Sequence, residues 1–140
     1  MQVETESRSP QTPVPDRDWL SMFEMVFPEK ANHYSTLFGG QVMQLMDKAA
    51  FVVATREARR HVVTVSAEDV TFLAPVKVGH LVEVRARIAG IGRSSIRVET
   101  QLFSEDTLST DRTLCARGHF VLVALNHQGR PVAVNAGGDA

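Results

Sequence analysis

The stretch from Gln41 to about Arg59 constrains the fold more than any other part of the chain. It carries Val42, Met43, Leu45, Met46, Ala49, Ala50, Phe51, Val53 and Ala54, all compatible with a helix. At 3.6 residues per turn these apolar side chains fall almost all the way round. A helix of that kind has to be covered on most sides, as when a sheet wraps it. It closes on Arg56, Glu57, Arg59 and Arg60, whose cations suit a helix C-terminus.

Strands are available to do the wrapping. Leu20 to Phe27 predicts a first strand that stops at Pro28, and Glu29 to Phe38 reads as a polar loop. Val62 to Phe72 is rich in β-branched residues, and its alternation slips near Glu68-Asp69, which predicts a bulge. Leu81 to Ile88 alternates cleanly, with Val82, Val84, Ala86 and Ile88 opposite Glu83, Arg85 and Arg87. After the tight connection Gly90-Ile91-Gly92-Arg93, Ile96, Val98, Thr100 and Leu102 face away from Arg97, Glu99 and Gln101, completing a hairpin. Thr113 to Leu125 predicts a last strand, ahead of the turn Asn126-His127-Gln128-Gly129. The expected fold class is therefore α+β, an antiparallel five- to six-stranded sheet around one long central helix. One helix covers one sheet face, yet Val121, Val123 and Leu125 place apolar groups on the other. Pairing of sheet edges or faces between copies would cover them, so at least a dimer is expected. Residues 18–135 form the expected single domain. The proline-bearing segment 1–17 reads as a flexible extension and 136–140 as a frayed tail.

The formal net charge of -1 supplies no general attraction for nucleic acid or an anionic membrane, so neither is an expected partner. A single cysteine, Cys115, allows no intramolecular disulfide and fits a reducing cytoplasm, the expected location. No apolar run approaches the ~18 residues of a membrane span, and the first residues lack the apolar stretch of a signal peptide.

The chemistry centres on Asp47, an ionisable group set mid-helix among Met46, Ala50 and Phe51. Desolvation disfavours the charged form of a carboxylate and suits it to accept a proton from water. A solvent-facing carboxylate paired with Lys48 or Gln44 would fit the same sequence. Gly39-Gly40 stand just before the helix, where free N–H groups point at negative charge and a glycine lets another molecule come close. They suit an oxyanion, and equally a plain helix-entry turn. Asn32, in the preceding loop, is able to orient a water or polarise a carbonyl, although asparagine is also a common turn former. Gly92-Arg93-Ser94-Ser95 joins a cation and two hydroxyls at a hairpin tip, a composition that fits phosphate as well as turn chemistry. The five histidines show no metal-ligand spacing, and neither a Gly-x-Ser-x-Gly elbow nor a phosphate-cradling loop is present. Cys115 alternates within a strand as a core residue would. Water attack assisted by a carboxylate remains.

At these residues the chain resembles the acyl-CoA hydrolases of the hotdog-fold thioesterase superfamily. The likeness runs from about Met25 to Val134. It is carried in order by Asn32, Phe38-Gly39-Gly40, Leu45-Met46-Asp47, Val62-Val63-Thr64-Val65, Phe72, Pro75-Val76 with Gly79, Gly92-Arg93-Ser94-Ser95, and Phe120-Val121 leading to Asn126 and Gly129. The resemblance implies a hotdog fold whose subunits pair so that two sheets join, with the active site at that seam. It implies that Asp47 and Asn32 act together from opposite subunits, with the Gly40 N–H at the oxyanion. Phe38, Gly39, Thr64 and Gly92 to Ser95 would line the CoA cleft. It further implies a trimer of dimers covering the outer sheet face, acyl-CoA as substrate, and no metal or prosthetic group. The chain departs from the family at Tyr34 and Ser35 (usually asparagine and glycine), at His80 (usually aspartate) and at Leu45 (often tryptophan). The first of these places acyl preference in doubt. The expected reaction is hydrolysis of an acyl-CoA to a free acid and CoA. Two alternatives share the scaffold: a hydratase or dehydratase using His33, and a non-catalytic acyl-CoA sensor.

Overall fold

The structure, a computed structural model, describes residues 18–135; the extension expected over 1–17 and the tail over 136–140 lie outside the described residues. Five strands and one long helix follow in the order β1 (Leu20–Met25), α1 (Gly39–Ala58), β2 (Val62–Phe72), β3 (Leu81–Ile91), β4 (Ser95–Glu105) and β5 (Arg112–Ala124). All strand pairs are antiparallel, in the sheet order β1-β3-β4-β5-β2. This is the hotdog arrangement, with five strands.

Several element ends differ from the expectation: β3 runs on to Ile91, with Gly90 and Ile91 of the expected connection paired to Arg97 and Ile96, and β5 lies one residue earlier than expected at both ends. β1 stops at Met25, because Pro28 opens a short 3-10 turn, Pro28–Lys30, and extended Phe27 caps it. α1 begins two residues early, at Gly39. Phe38 is extended, and its carbonyl accepts hydrogen bonds from the N–H groups of both Gln41 (2.9 Å) and Val42 (3.1 Å). The helix ends where Arg59 turns left-handed (φ 53°) and donates its N–H to Thr55 O at 2.7 Å.

The buried face of α1 is Val42, Met46, Ala49, Ala50, Ala54 and Ala58. Four alanines in that row let the helix axis approach the sheet closely, and α1 touches all five strands. Against it lie Val82, Val84 and Ala86 of β3, Ile96, Val98 and Leu102 of β4, and Phe120, Leu122 and Ala124 of β5. These are the inward sets expected from the alternation. The expectation that α1 is covered on most sides needs correction for the single chain. The sheet curls over one side only, and the flank toward β2 stays open, leaving Phe51 45% exposed.

β2 is an edge strand, paired to β5 alone, and Val63 and Val65 on it are exposed. Its bulge falls where expected: the register shifts between Glu68 and Thr71, and Asp69 adopts φ 55°. A second shift, between Thr64 and Ser66, had no signal in the alternation. The bulge presses Val70 onto Gly118 of β5, where a Cβ would lie 2.9 Å from Val70 Cγ2 and 3.1 Å from its Cα. Gly118→Ala is therefore expected to lower stability by about 1–3 kcal/mol through overpacking. Val70→Ala in the same chain should restore part of the lost melting temperature. Equal melting temperatures for the single and double variants would place the strain elsewhere.

Candidate active site at the helix flank

The open flank of α1 and the edge strand β2 enclose a groove of about 430 Å³, lined by Met43, Gln44 and Asp47 from the helix and by Thr64, Val65, Ser66 and Ala67 from the strand, with Phe120 behind them. Asp47 is half-buried in its wall. Thr64 Oγ1 donates a hydrogen bond to Asp47 Oδ1 at 2.7 Å, which ties the helix to the edge strand and fixes the carboxylate. Asp47 thus lines the groove with its Oδ1 held by Thr64. The hydrogen bond runs to Thr64 and not to Gln44 or Lys48, and in the single chain the carboxylate is half-buried at an open groove, not sealed among apolar side chains as its helical neighbours Met46, Ala50 and Phe51 lead one to expect.

At the start of α1 the N–H groups of Gly39 and Gly40 precede the first intrahelical donor and have no helical acceptor. The N-cap residue is Phe38, which makes no side-chain capping bond. Both glycines are exposed, and the Phe72 ring lies over the first of them, with its Cζ 3.6 Å from where a Gly39 Cβ would stand. The helix start is thus a pair of aligned donors beside an aromatic wall, the arrangement that favours negative charge. Phe72 and the exposed Phe38 flank it.

Asn32 uses its side-chain oxygen in a turn. Oδ1 accepts from Tyr34 N at 2.9 Å, Thr36 N at 3.2 Å and Thr36 Oγ1 at 3.1 Å. The amide nitrogen is the part of the side chain that the turn does not use. Asn32 does not line the groove at Asp47 within its own chain. Neither does His33, which is exposed and stacks on Tyr34 with ring centroids 4.0 Å apart.

The Gly92–Ser95 tip is also absent from that groove. Its backbone is anchored: Ala124 N donates to Ser94 O at 2.9 Å and Val134 N to Arg93 O at 2.8 Å. Ser95 Oγ folds back so tightly that a Cβ on Gly92 would meet it at 2.6 Å. Cys115 is buried, and burial pushes its thiol up against a smaller lowering by hydrogen bonds involving Ser104; a thiolate nucleophile is disfavoured there. The sequence reading missed Thr64 as the partner of Asp47, since seventeen residues separate them and only the fold brings them together.

The description of the thioesterase superfamily fits residues 34–110. The chain belongs to that superfamily. It is 36% identical over 109 residues to an uncharacterized acyl-CoA thioester hydrolase of Bacillus subtilis, covering 78% of this chain and 63% of that one. It is 32% identical over 124 residues to the acyl-CoA thioester hydrolase YciA of Escherichia coli, covering 86% and 93%. The chain thus spans slightly less than two thirds of the Bacillus relative and nearly the whole of the Escherichia one. Among solved structures, the acyl-CoA hydrolase of Staphylococcus aureus, in complex with butyryl-CoA, CoA and CoA disulfide, superposes with a TM-score of 0.80 at 32% identity, covering 86% of this chain and 74% of that one. An apo-hexameric acyl-CoA thioesterase superposes at 0.81 with 31% identity, covering 86% and 77%. No described helix is long and apolar enough to cross a membrane.

Glycine weakens a helix, and nothing stands within 4 Å of a Cβ built on Gly40. Gly40→Ala should therefore stabilise the chain by up to about 1 kcal/mol, seen as a higher melting temperature. A destabilised Gly40→Ala chain would mean that the glycine serves the fold and not the open space in front of it.

Proposed function

We propose that the chain hydrolyses acyl-CoA thioesters to a free acid and CoA, with Asp47 as general base. The observation that carries this reading is the Asp47 carboxylate held by Thr64 at 2.7 Å in the wall of an open groove. Water placed at its free oxygen loses a proton to Asp47 as the water oxygen bonds to the thioester carbon. The carbonyl oxygen gathers negative charge, which the Gly40 N–H stabilises from a preorganised helix start. Collapse of that intermediate breaks the C–S bond, and the departing CoA sulfur takes up the proton. Support comes from spacing as well. The Staphylococcus enzyme has been solved with single alanine replacements of an asparagine, of an aspartate fifteen residues on, and of a threonine seventeen further. Asn32, Asp47 and Thr64 repeat both intervals.

Geometry supports sharing of the site between two copies. Seven residues of helix separate Gly40 from Asp47, about 10 Å of rise, too far for both to touch one reacting carbonyl. A second copy resolves this if its helix start faces Asp47. The edge strand β2, unpaired on one side and exposing Val63 and Val65, is the surface that would join the two sheets. Asn32 would then reach Asp47 from the partner and donate through its amide nitrogen to the water or the carbonyl. Three such dimers would make a hexamer like that of the apo-hexameric neighbour, with the outer sheet faces covered. Phe38, Gly39 and the Gly92–Ser95 tip would line the CoA cleft in that assembly, and a cytoplasmic setting suits both the substrate and the lone cysteine. The hydratase reading gains nothing from His33, which is stacked on Tyr34 outside the groove.

Asp47→Asn, with circular dichroism and oligomeric mass unchanged, is expected to lose at least about 10²-fold in kcat on an acyl-CoA. Retention of the wild-type rate would remove Asp47 from the mechanism. Thr64→Ser should keep most of the activity. Thr64→Val should lower kcat by roughly tenfold while leaving KM nearly unchanged, as expected for a lost hydrogen bond to a charged group.

A further inference from the structure

Among the described residues two polar side chains are buried, Thr100 and Ser104, both on the inward face of β4. Thr100 Oγ1 donates to Gly118 O at 3.0 Å and is satisfied within the sheet. Ser104 instead reaches out of the sheet. Its Oγ lies 2.8 Å from Nδ1 of His80, a hydrogen bond whose donor the ring tautomer sets. A buried hydroxyl tied to a loop holds that loop in place, because breaking the bond costs a polar group its partner inside the core.

His80 ends the connection between β2 and β3. Its N–H donates to Lys77 O at 3.1 Å, closing a tight turn in which Gly79 takes φ 90°, and its carbonyl accepts from Val26 N at 3.1 Å. The other end of the connection is fixed on β5, where Leu73 N and Ala74 N donate to Cys115 O at 2.7 and 3.3 Å. Between these anchors the connection pairs with the loop ahead of α1. Leu37 N donates to Val76 O at 2.9 Å and Val78 N to Ser35 O at 3.0 Å, on either side of an antiparallel bridge between Thr36 and Lys77. Thr36 in turn supplies two of the three hydrogen bonds to Asn32 Oδ1, through its N at 3.2 Å and its Oγ1 at 3.1 Å. Contacts thus run in series from the core to Asn32: Ser104 to His80, His80 to Lys77, Lys77 to Thr36, and Thr36 to Asn32.

We propose that His80 is a positioning residue for Asn32 in acyl-CoA hydrolysis: its bond to Ser104 fixes the 77–80 turn, and that turn sets where the Asn32 amide stands. The inference rests on the hydrolase reading, in which the Asn32 amide nitrogen meets the water or the carbonyl. Because Oδ1 is held by Thr36, a shift of Thr36 carries the amide nitrogen with it. A polar group misplaced by about 1 Å loses much of its effect on the reacting atoms, while substrate contacts made elsewhere are kept. His80 itself does not line the groove at Asp47, so it acts through the turn and not on the substrate.

The test is a double-mutant cycle on the full chain in its native assembly, with butyryl-CoA as substrate. His80→Ala is expected to lower kcat roughly tenfold with KM within about twofold. His80→Asn should recover most of that loss, because the asparagine amide stands close to where Nδ1 stood and bonds a hydroxyl as donor or acceptor. In an Asn32→Ala background, itself slower than wild type, His80→Ala should cost less than about twofold more. Ser104→Ala should reproduce His80→Ala, and carries the same cycle should His80→Ala change the oligomeric mass. Wild-type kcat in His80→Ala or in Asn32→Ala, the full loss repeated on top of Asn32→Ala, or no recovery in His80→Asn would overturn the inference. Backbone hydrogen exchange supplies a readout independent of turnover. His80→Ala should speed exchange of the Leu37 and Val78 N–H groups at least about tenfold and leave the amides in the middle of β4 at wild-type rates. Equal acceleration in β4, the sign of a merely weakened fold, would also overturn it, as would unchanged rates at Leu37 and Val78. A wild-type chain without hydrolase activity would instead refute the hydrolase reading, and the exchange rates would still decide whether His80 positions the Asn32 turn.

Discussion

The seating of α1 on the sheet governs everything else in this molecule. Ala49, Ala50, Ala54 and Ala58 form a row with almost no side-chain bulk, so the helix lies close against the inward faces of β3, β4 and β5. Close packing at interior density leaves few alternative rotations of the helix about its axis. The same rotation that buries the alanines turns Asp47, Phe51 and Thr55 toward the edge at β2. Bulkier residues in the alanine row would lift and rotate the helix, moving the carboxylate away from Thr64. The position of the Asp47 flank is therefore a consequence of core packing, with the Thr64–Asp47 hydrogen bond acting as its latch.

A second theme is the deliberate incompleteness of the single chain. An edge strand with exposed valines, an uncapped helix start under a phenylalanine ring, and a carboxylate at an open groove are each costly in isolation. Under the proposed function they are halves of a site that would close when two copies meet. The 10 Å between Gly40 and Asp47 gives that reading its physical force, because one rigid helix cannot bring both of its ends to one carbon. In that proposed assembly donors and base would stand on opposite rigid scaffolds, held in position without loops.

Much of this was legible from residues alone. The alternation of Val82, Val84 and Ala86 and of Ile96, Val98 and Leu102 identified the hairpin and its inward face, because period two is unambiguous when one face is buried. The slip at Glu68-Asp69 marked the bulge. The ends of β1 and α1 were less legible. Pro28 acted two residues upstream of itself, and a helix start without a side-chain cap leaves no local signature. Asp47 stood out because a charge amid apolar residues is rare at any position, whereas Asn32 showed its turn role only once its three backbone and side-chain donors were in place.

Local order set what each segment could become: a helix long enough to be wrapped, strands that alternate, a charge where charge is expensive. These depend on neighbours within a few residues, and the sequence records them directly. Pairings across the chain depend on register and on helix rotation, which no short window contains. Tertiary structure alone placed Thr64 against Asp47, left β2 at the edge, and brought His80 onto Ser104. Those choices come from summed packing over the whole core, where small differences in fit decide which side chains share a groove.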